Sequence, residues 1–158
     1  MSSKKIKTYP YSDVKMLPGD ILYSSIGKST YYVGHIVIIG PNYNIIESIP
    51  GNPSGYMMSA KQFWSRHNSS DRITLLRAKA GADGAAKWAL DHFNDVKKYT
   101  VLNHNINTIK NNYCSKWILQ AYYFGANIKL TPILNRLVFP QSFEYMKNIE
   151  KIALFSIA

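Results

Sequence analysis

Three ionisable side chains of this sequence have the types and spacing that covalent chemistry requires. Cys114 is the single cysteine among 158 residues, and it lies at the predicted start of a helix over residues 113–124. Free N–H groups at a helix N-terminus favour negative charge, so this position stabilises a thiolate. A thiolate attacks carbonyl carbon but needs a nearby acid and base to move protons. Cys114 is therefore a candidate nucleophile, and a histidine must lie beside it.

The partner side chains are predicted on a β-hairpin. The β-branched run over residues 31–40 contains His35, residues 41–44 form a turn, and residues 44–49 form a second strand that contains Glu47. Folding about this turn places His35 nearly opposite Glu47, with Cβ atoms ~5 Å apart. A carboxylate beside an imidazole orients the ring, fixes its tautomer and stabilises its protonated form.

Each of these residues also has an interpretation in which it takes no part in catalysis. His35 and Glu47 could simply hold the hairpin, and a lone cysteine is often a small buried hydrophobe. His104, in the Asn-rich segment before Cys114, is a rival catalytic histidine. His67 is expected to be exposed, and His92 to lie at the surface or its boundary. Four scattered histidines and one cysteine offer no typical ligand spacing, so we expect no metal site and no cofactor.

The remaining pattern predicts an α+β single domain over residues 1–158, in which an antiparallel sheet packs against helices on one side. Asp83 is the expected cap of the helix over 82–94, and Gly125 is the expected C′ residue after the cysteine helix. The other expected segments are an irregular lead-in (1–15), strands (21–24, 71–78, 149–157), a helix (60–67), a helical turn (140–146) and loops (27–30, 50–55, 95–112).

Four blocks of the chain resemble one family of enzymes. Residues 18–22, 34–40, 46–48 and 112–122 are similar to successive blocks of the permuted papain-fold hydrolases, the YiiX/YycO-like branch of the NlpC-type superfamily. In this group histidine precedes cysteine, because the order of elements is rotated relative to papain. The resemblance extends over roughly residues 16–145 and implies a circularly permuted papain-like fold.

The resemblance also implies roles for individual residues. Cys114 would be the nucleophile, His35 the general base and then acid, and Glu47 the residue that orients His35. Related acyltransferases usually carry a second histidine in place of Glu47, so glutamate favours the hydrolase branch. Tyr113 is a candidate for lining the acyl pocket. The implied activity is that of a cysteine peptidase or amidase, with cell-wall peptides or acylated amino compounds as substrates.

Two other functions stay open. A lipid-directed thiol acyltransferase on the same fold would need an apolar groove, for which residues 56–58, Phe63 and Trp64 are candidates, although core packing explains them better. A non-catalytic binding module would use the basic surface, since the net charge is +10. In that case, binding to an anionic polymer would weaken steeply with salt.

The distribution of charge and hydropathy limits the partners. Lysines and arginines are mostly scattered, and neither zinc-finger spacing nor an RNP-like aromatic motif is present, so no specific nucleic-acid binding is expected. Attraction to anionic cell-envelope surfaces is compatible with the charge. No run approaches the ~20 apolar residues of a membrane span. Residues 1–17 contain no signal peptide, so the expectation is a cytoplasmic protein if Met1 is native and an exported one if a leader was removed. The oligomeric state stays open.

Overall fold

The computed structural model describes residues 6–25 and 34–157. The predicted loop over 27–30 and residues 31–33 of the predicted strand lie outside this part of the chain. The described residues include two 3₁₀ segments, Phe93–Asp95 and Pro140–Tyr145. The strands are β1 (Ile21–Ser24), β2 (His35–Ile39), β3 (Ile45–Ser48), β4 (Gly55–Met58), β5 (Arg72–Ala78), β6 (Lys98–Tyr99), β7 (Asn111–Asn112) and β8 (Ile149–Ser156), and the helices are α1 (Ala60–Ser65), α2 (Ala82–His92) and α3 (Cys114–Ala126).

Six strands form one sheet in the order β4-β3-β2-β1-β5-β8. All five neighbouring pairs are antiparallel, as predicted. Strand β4 was not predicted, because its four residues lack the alternation and the β-branched side chains that identify a strand. The predicted loop over 95–112 contains β6 and β7, which pair in parallel over two residues each.

Helices cover both faces of the sheet, so the prediction of helices on one side was wrong. Successive residues of a strand point to opposite faces. Ile36 and Ile38 accordingly pack in a core with residues of α2 and α3. Val37 and Ile39 pack in a second core that includes Phe63 of α1. The short helix α1 was predicted, but nothing in its sequence indicates which face it covers.

The ends of α2 and α3 differ from the predicted caps. Gly81, not Asp83, is the N-cap of α2 and has a φ of 81°, while Asp83 lies inside the first turn. Gly125 lies within α3, and Asn127 adopts the left-handed conformation at its C-terminus with a φ of 57°. A Cβ atom on Gly84 would lie 2.4 Å from the carbonyl oxygen of Gly125. Gly125 therefore serves the close approach of α2 and α3.

The N-terminal lead-in is part of the core. Tyr9 is 1% exposed, and its hydroxyl donates a hydrogen bond of 2.7 Å to Oδ2 of Asp20. Arg77 also binds both oxygens of Asp20. These bonds fix residues 8–10 against the start of β1. Among the described residues, no helix has the length and hydrophobicity needed to cross a bilayer.

Candidate functional site

The structure brings His35 and Glu47 into direct contact. Nε2 of His35 lies 2.6 Å from Oε2 of Glu47, and Glu47 is fully buried. The strand ladder pairs Ile38 with Ile46, and its continuation would make His35 the diagonal neighbour of Glu47. We predicted that His35 lies nearly opposite Glu47, whereas the two residues are displaced along the strands. Both side chains nevertheless lie on the same face of the sheet, as predicted, and this allows them to meet.

Cys114 is the first residue of α3, which packs across β2 and β3. Its thiol is buried, and its interaction with the side chain of His35 helps to raise the pKa of that ring. Because Nε2 of His35 is bound to Glu47, Nδ1 is the ring nitrogen left for the thiol. Tyr113, the N-cap residue, makes no side-chain cap, so N–H groups of the first turn of α3 remain available to a negative charge.

The groups around His35 favour the charged, imidazolium form of its ring. Burial opposes the charged ring, but the interactions of the ring with Cys114 and with the carboxylate of Glu47 outweigh it and raise the pKa of His35 to about 9. Burial likewise opposes ionisation of Glu47, yet its bonds to His35 and Arg66 hold the pKa of its carboxyl below the ordinary value. At neutral pH the site therefore contains a charged ring between a carboxylate and the thiol.

Arg66 is a member of the site that the sequence did not reveal. It follows α1, and its Nη1 and Nη2 donate hydrogen bonds of 2.6 and 2.9 Å to the two oxygens of Glu47. The two residues are 19 positions apart, and Arg66 is one of several scattered basic residues. A fully buried glutamate predicts some cationic partner, but no local pattern identifies which one.

His67 was expected to be exposed, but it is half-buried and hydrogen-bonded through both ring nitrogens. Nδ1 donates to the carbonyl of Phe63 at 2.8 Å, and Nε2 lies 2.7 Å from Oγ of Ser24. A carbonyl only accepts, so Nδ1 carries the proton and Nε2 accepts from the hydroxyl. Burial lowers the pKa of His67, which keeps this ring neutral.

The residues before Cys114 are packed rather than open. Tyr113 is 3% exposed, and its hydroxyl accepts a hydrogen bond from the N–H of Val138 at 3.2 Å. His104 packs against the ring of Tyr113, and its Nε2 donates to the carbonyl of Val101. The histidine whose pKa responds to the thiol is His35.

Lys116 is one of the scattered basic residues, and its side chain is buried, with 1% exposed. Its ammonium donates a hydrogen bond of 2.9 Å to the carbonyl of Asn111 and also contacts Asn103. Burial lowers the pKa of Lys116 to about 8. The lysine thus holds the segment before Cys114 against the first turn of α3. His92, half-exposed and 3.1 Å from Asp95, lies at the boundary, as predicted.

Comparison with known proteins shows a similarity in fold. No family model matches the sequence, and no curated protein sequence matches it. The crystal structure of metalloprotein yiiX from Escherichia coli O157:H7, DUF1105, aligns over 86% of this chain and 96% of its own, with a TM-score of 0.53 and 11% identity. The chain therefore has a YiiX-like fold, a mixed α/β architecture in which an antiparallel sheet packs against helices.

The donor groups of the site do not fit a metal ion, although that structural neighbour is called a metalloprotein. Both oxygens of Glu47 are bound by Arg66, whose positive charge would repel a cation. Nε2 of His35 is bound to the same carboxylate. Over residues 6–25 and 34–157, no cluster of three His, Cys, Asp or Glu side chains has an arrangement that could hold a metal.

Proposed function

We propose that this protein is a cysteine hydrolase, a peptidase or amidase with a circularly permuted papain-like fold of the NlpC type. One observation carries the proposal: the thiol at the start of α3 interacts with the ring of His35 and helps to raise its pKa, and Glu47 binds Nε2 of the same ring at 2.6 Å. This order of groups is the one that an activated thiolate requires. The YiiX-like fold is compatible with it.

The reaction begins with attack by Sγ of Cys114 on the carbonyl carbon of an amide. A C–S bond forms, and the carbonyl electrons move to oxygen, where N–H groups at the start of α3 offer hydrogen bonds. The imidazolium of His35 gives its proton to the leaving nitrogen as the C–N bond breaks. His35 then takes a proton from water, which attacks the thioester, releases the acid and restores the thiol. Glu47 stabilises the charged ring throughout.

A second candidate is transfer of an acyl group from a lipid to an acceptor other than water. It is favoured by a groove of about 650 Å³, lined partly by the exposed side chains of Leu137, Phe139 and Tyr145. The groove also includes Val138, which is bonded to Tyr113 beside the thiol. Phe63 and Trp64, the earlier candidates for such a groove, are buried in the core.

Product analysis separates these possibilities. The purified protein is incubated with peptide amides, N-acyl amino compounds and phospholipids, and the mass of the intact chain is recorded with the products. The hydrolase predicts acylation of Cys114, release of free acid and loss of both in Cys114→Ala. Transfer to an added amine in preference to water would favour the acyltransferase. Turnover by Cys114→Ala would exclude both.

The positive net charge leads to a proposal about the surfaces to which this protein binds. With a net charge of +10, the protein would be drawn to anionic cell-envelope surfaces by long-range attraction. Binding to vesicles that contain an anionic lipid should then fall steeply as the salt concentration rises from roughly 50 to 300 mM, because salt screens charges strongly in this range. Binding that does not respond to salt would contradict this proposal.

A further inference from the structure

We propose that Arg66 is a positioning residue for the Cys114–His35 pair, because its guanidinium holds both oxygens of Glu47 and thereby fixes the carboxylate as an ionised partner of His35. This inference rests on the proposed function and extends it by one residue. Arg66 itself touches neither the thiol nor, in this account, the substrate. Its effect passes through Glu47.

The geometry makes Arg66 the main support of the carboxylate. Nη1 meets Oε1 at 2.6 Å and Nη2 meets Oε2 at 2.9 Å, so the two planar groups face each other and restrain rotation of the carboxylate. Oε2 is also the atom that contacts His35 at 2.6 Å. The orientation of the imidazole is thus set by a carboxylate whose plane is set by Arg66.

The charges around Glu47 make this support necessary. Glu47 is fully buried, whereas the Arg66 side chain is 33% exposed, so a partly solvated cation neutralises a buried carboxylate. In the described part of the chain, the other ionisable groups nearby are His35, Tyr56, which is the register partner of Glu47 on β4, and His67, which responds to the charges of both Arg66 and His35. Without Arg66, His35 would be the sole cation bound to Glu47 among the residues that the structure describes.

The chain provides a matched control. Arg77 donates hydrogen bonds of 2.7 and 2.9 Å to the two oxygens of Asp20, a carboxylate that is 1% exposed. This pair has the same chemistry and similar burial, but it supports the N-terminal lead-in. Loss of Arg77 should therefore lower stability in the way that loss of Arg66 does, without changing the thiol.

The experiment measures alkylation of the single cysteine by iodoacetamide as a function of pH, for the wild type, Arg66→Met, Arg66→Lys and Arg77→Met. A positive partner lowers a carboxyl pKa by about one to three units. Arg66→Met should therefore move the acid limit of thiol reactivity upward, by less than this amount, because the change reaches the thiol only through Glu47 and His35. Arg66→Lys, which keeps the charge but loses the planar fork, should show a smaller shift. Arg77→Met should leave the limit unchanged.

Each outcome of this experiment supports or overturns the positioning role of Arg66. An upward shift in Arg66→Met that disappears in a Glu47→Gln background supports the proposal, since it shows that Arg66 acts through Glu47. If Arg66→Met does not fold, the shift or its absence in Arg66→Lys gives the answer. An unshifted profile with a lower melting temperature, as in Arg77→Met, overturns the positioning role and leaves the proposed hydrolase intact. A wild-type thiol that is unreactive at low pH would overturn both.

Discussion

Replacement of Glu47 by glutamine changes one charge at the centre of the site and keeps the size of the side chain. Oε2 of Glu47 faces Nε2 of His35 at 2.6 Å, and both oxygens accept bonds from Arg66. An amide replaces one of the two oxygens by an NH₂ group, so it cannot reproduce every contact that the carboxylate makes with Arg66 and His35. With its oxygen on Arg66, Glu47→Gln would present an NH₂ group to Nε2, which then has to be an acceptor. We therefore expect the variant to favour a neutral imidazole.

The size of the effect follows from the charge balance of His35. Its pKa of about 9, against 6.5 for an ordinary histidine, corresponds to ~3 kcal/mol in favour of the charged ring. Since Cys114 also contributes, we expect Glu47→Gln to lower the pKa of His35 by about one to two units rather than by the whole difference. The charged fraction at pH 8 would then fall from about nine-tenths to half or less. Turnover should become weak but measurable.

Nuclear magnetic resonance of ¹⁵N-labelled histidine can follow this change directly, because the chain contains four histidines. In the wild type, the ring of His35 should keep both protons up to about pH 9. In Glu47→Gln it should titrate at clearly lower pH. Asp20→Asn is the control, since it removes another buried carboxylate bound to an arginine. If His35 titrates alike in the wild type and Glu47→Gln, the assignment of Glu47 as the stabilising anion is wrong.

Three further outcomes follow from the structure. Cys114→Ala should abolish activity with little change in melting temperature, because it removes one sulfur atom from a well-packed site; retained activity would exclude covalent catalysis. The stability contributed by Glu47, whose pKa is lowered on folding, is present above about pH 4.5 and is lost on acidification. Urea unfolding should therefore show a wild-type advantage over Glu47→Gln at pH 5.5 that shrinks at pH 3.5, and a constant difference would contradict the linkage. Gly84→Ala should lower the free energy of unfolding by ~1–3 kcal/mol, since its Cβ atom would lie 2.4 Å from the Gly125 oxygen, whereas Gly51→Ala meets nothing closer than 3.6 Å. Equal stability of the two glycine variants would show that the helix contact is not tight.

Elements with strong local patterns were predictable from the sequence. The apolar runs of β2 and β3, separated by a turn, indicated a hairpin, and the two polar residues within it, His35 and Glu47, indicated a buried pair because burial of either alone is costly. The helix that begins at Cys114 was also predictable from its composition. The family resemblance supplied the fold expectation, for which the YiiX-like structure gives coarse support.

Features that depend on distant contacts were not predictable. Arg66 reaches Glu47 only because α1 covers one face of the sheet, and no periodicity specifies that face. Lys116 follows the pattern of a solvated lysine, yet it is buried because carbonyls of the preceding segment surround its ammonium. Gly125 has the sequence signature of a helix C-terminus, but the close passage of α2 explains its small size. Each case requires the three-dimensional arrangement of elements that lie apart in sequence.

The reactivity of Cys114 at pH 6 shows whether the thiol forms an activated pair with His35. Iodoacetamide alkylation is followed by mass spectrometry in the wild type and in His35→Ala, and the single cysteine makes the signal unambiguous. We expect rapid alkylation of the wild type at pH 6 and a loss of at least about tenfold in His35→Ala, because the imidazolium that stabilises the thiolate is gone. Slow alkylation of the folded wild type at pH 6, unchanged in His35→Ala, would show that Cys114 is a structural residue.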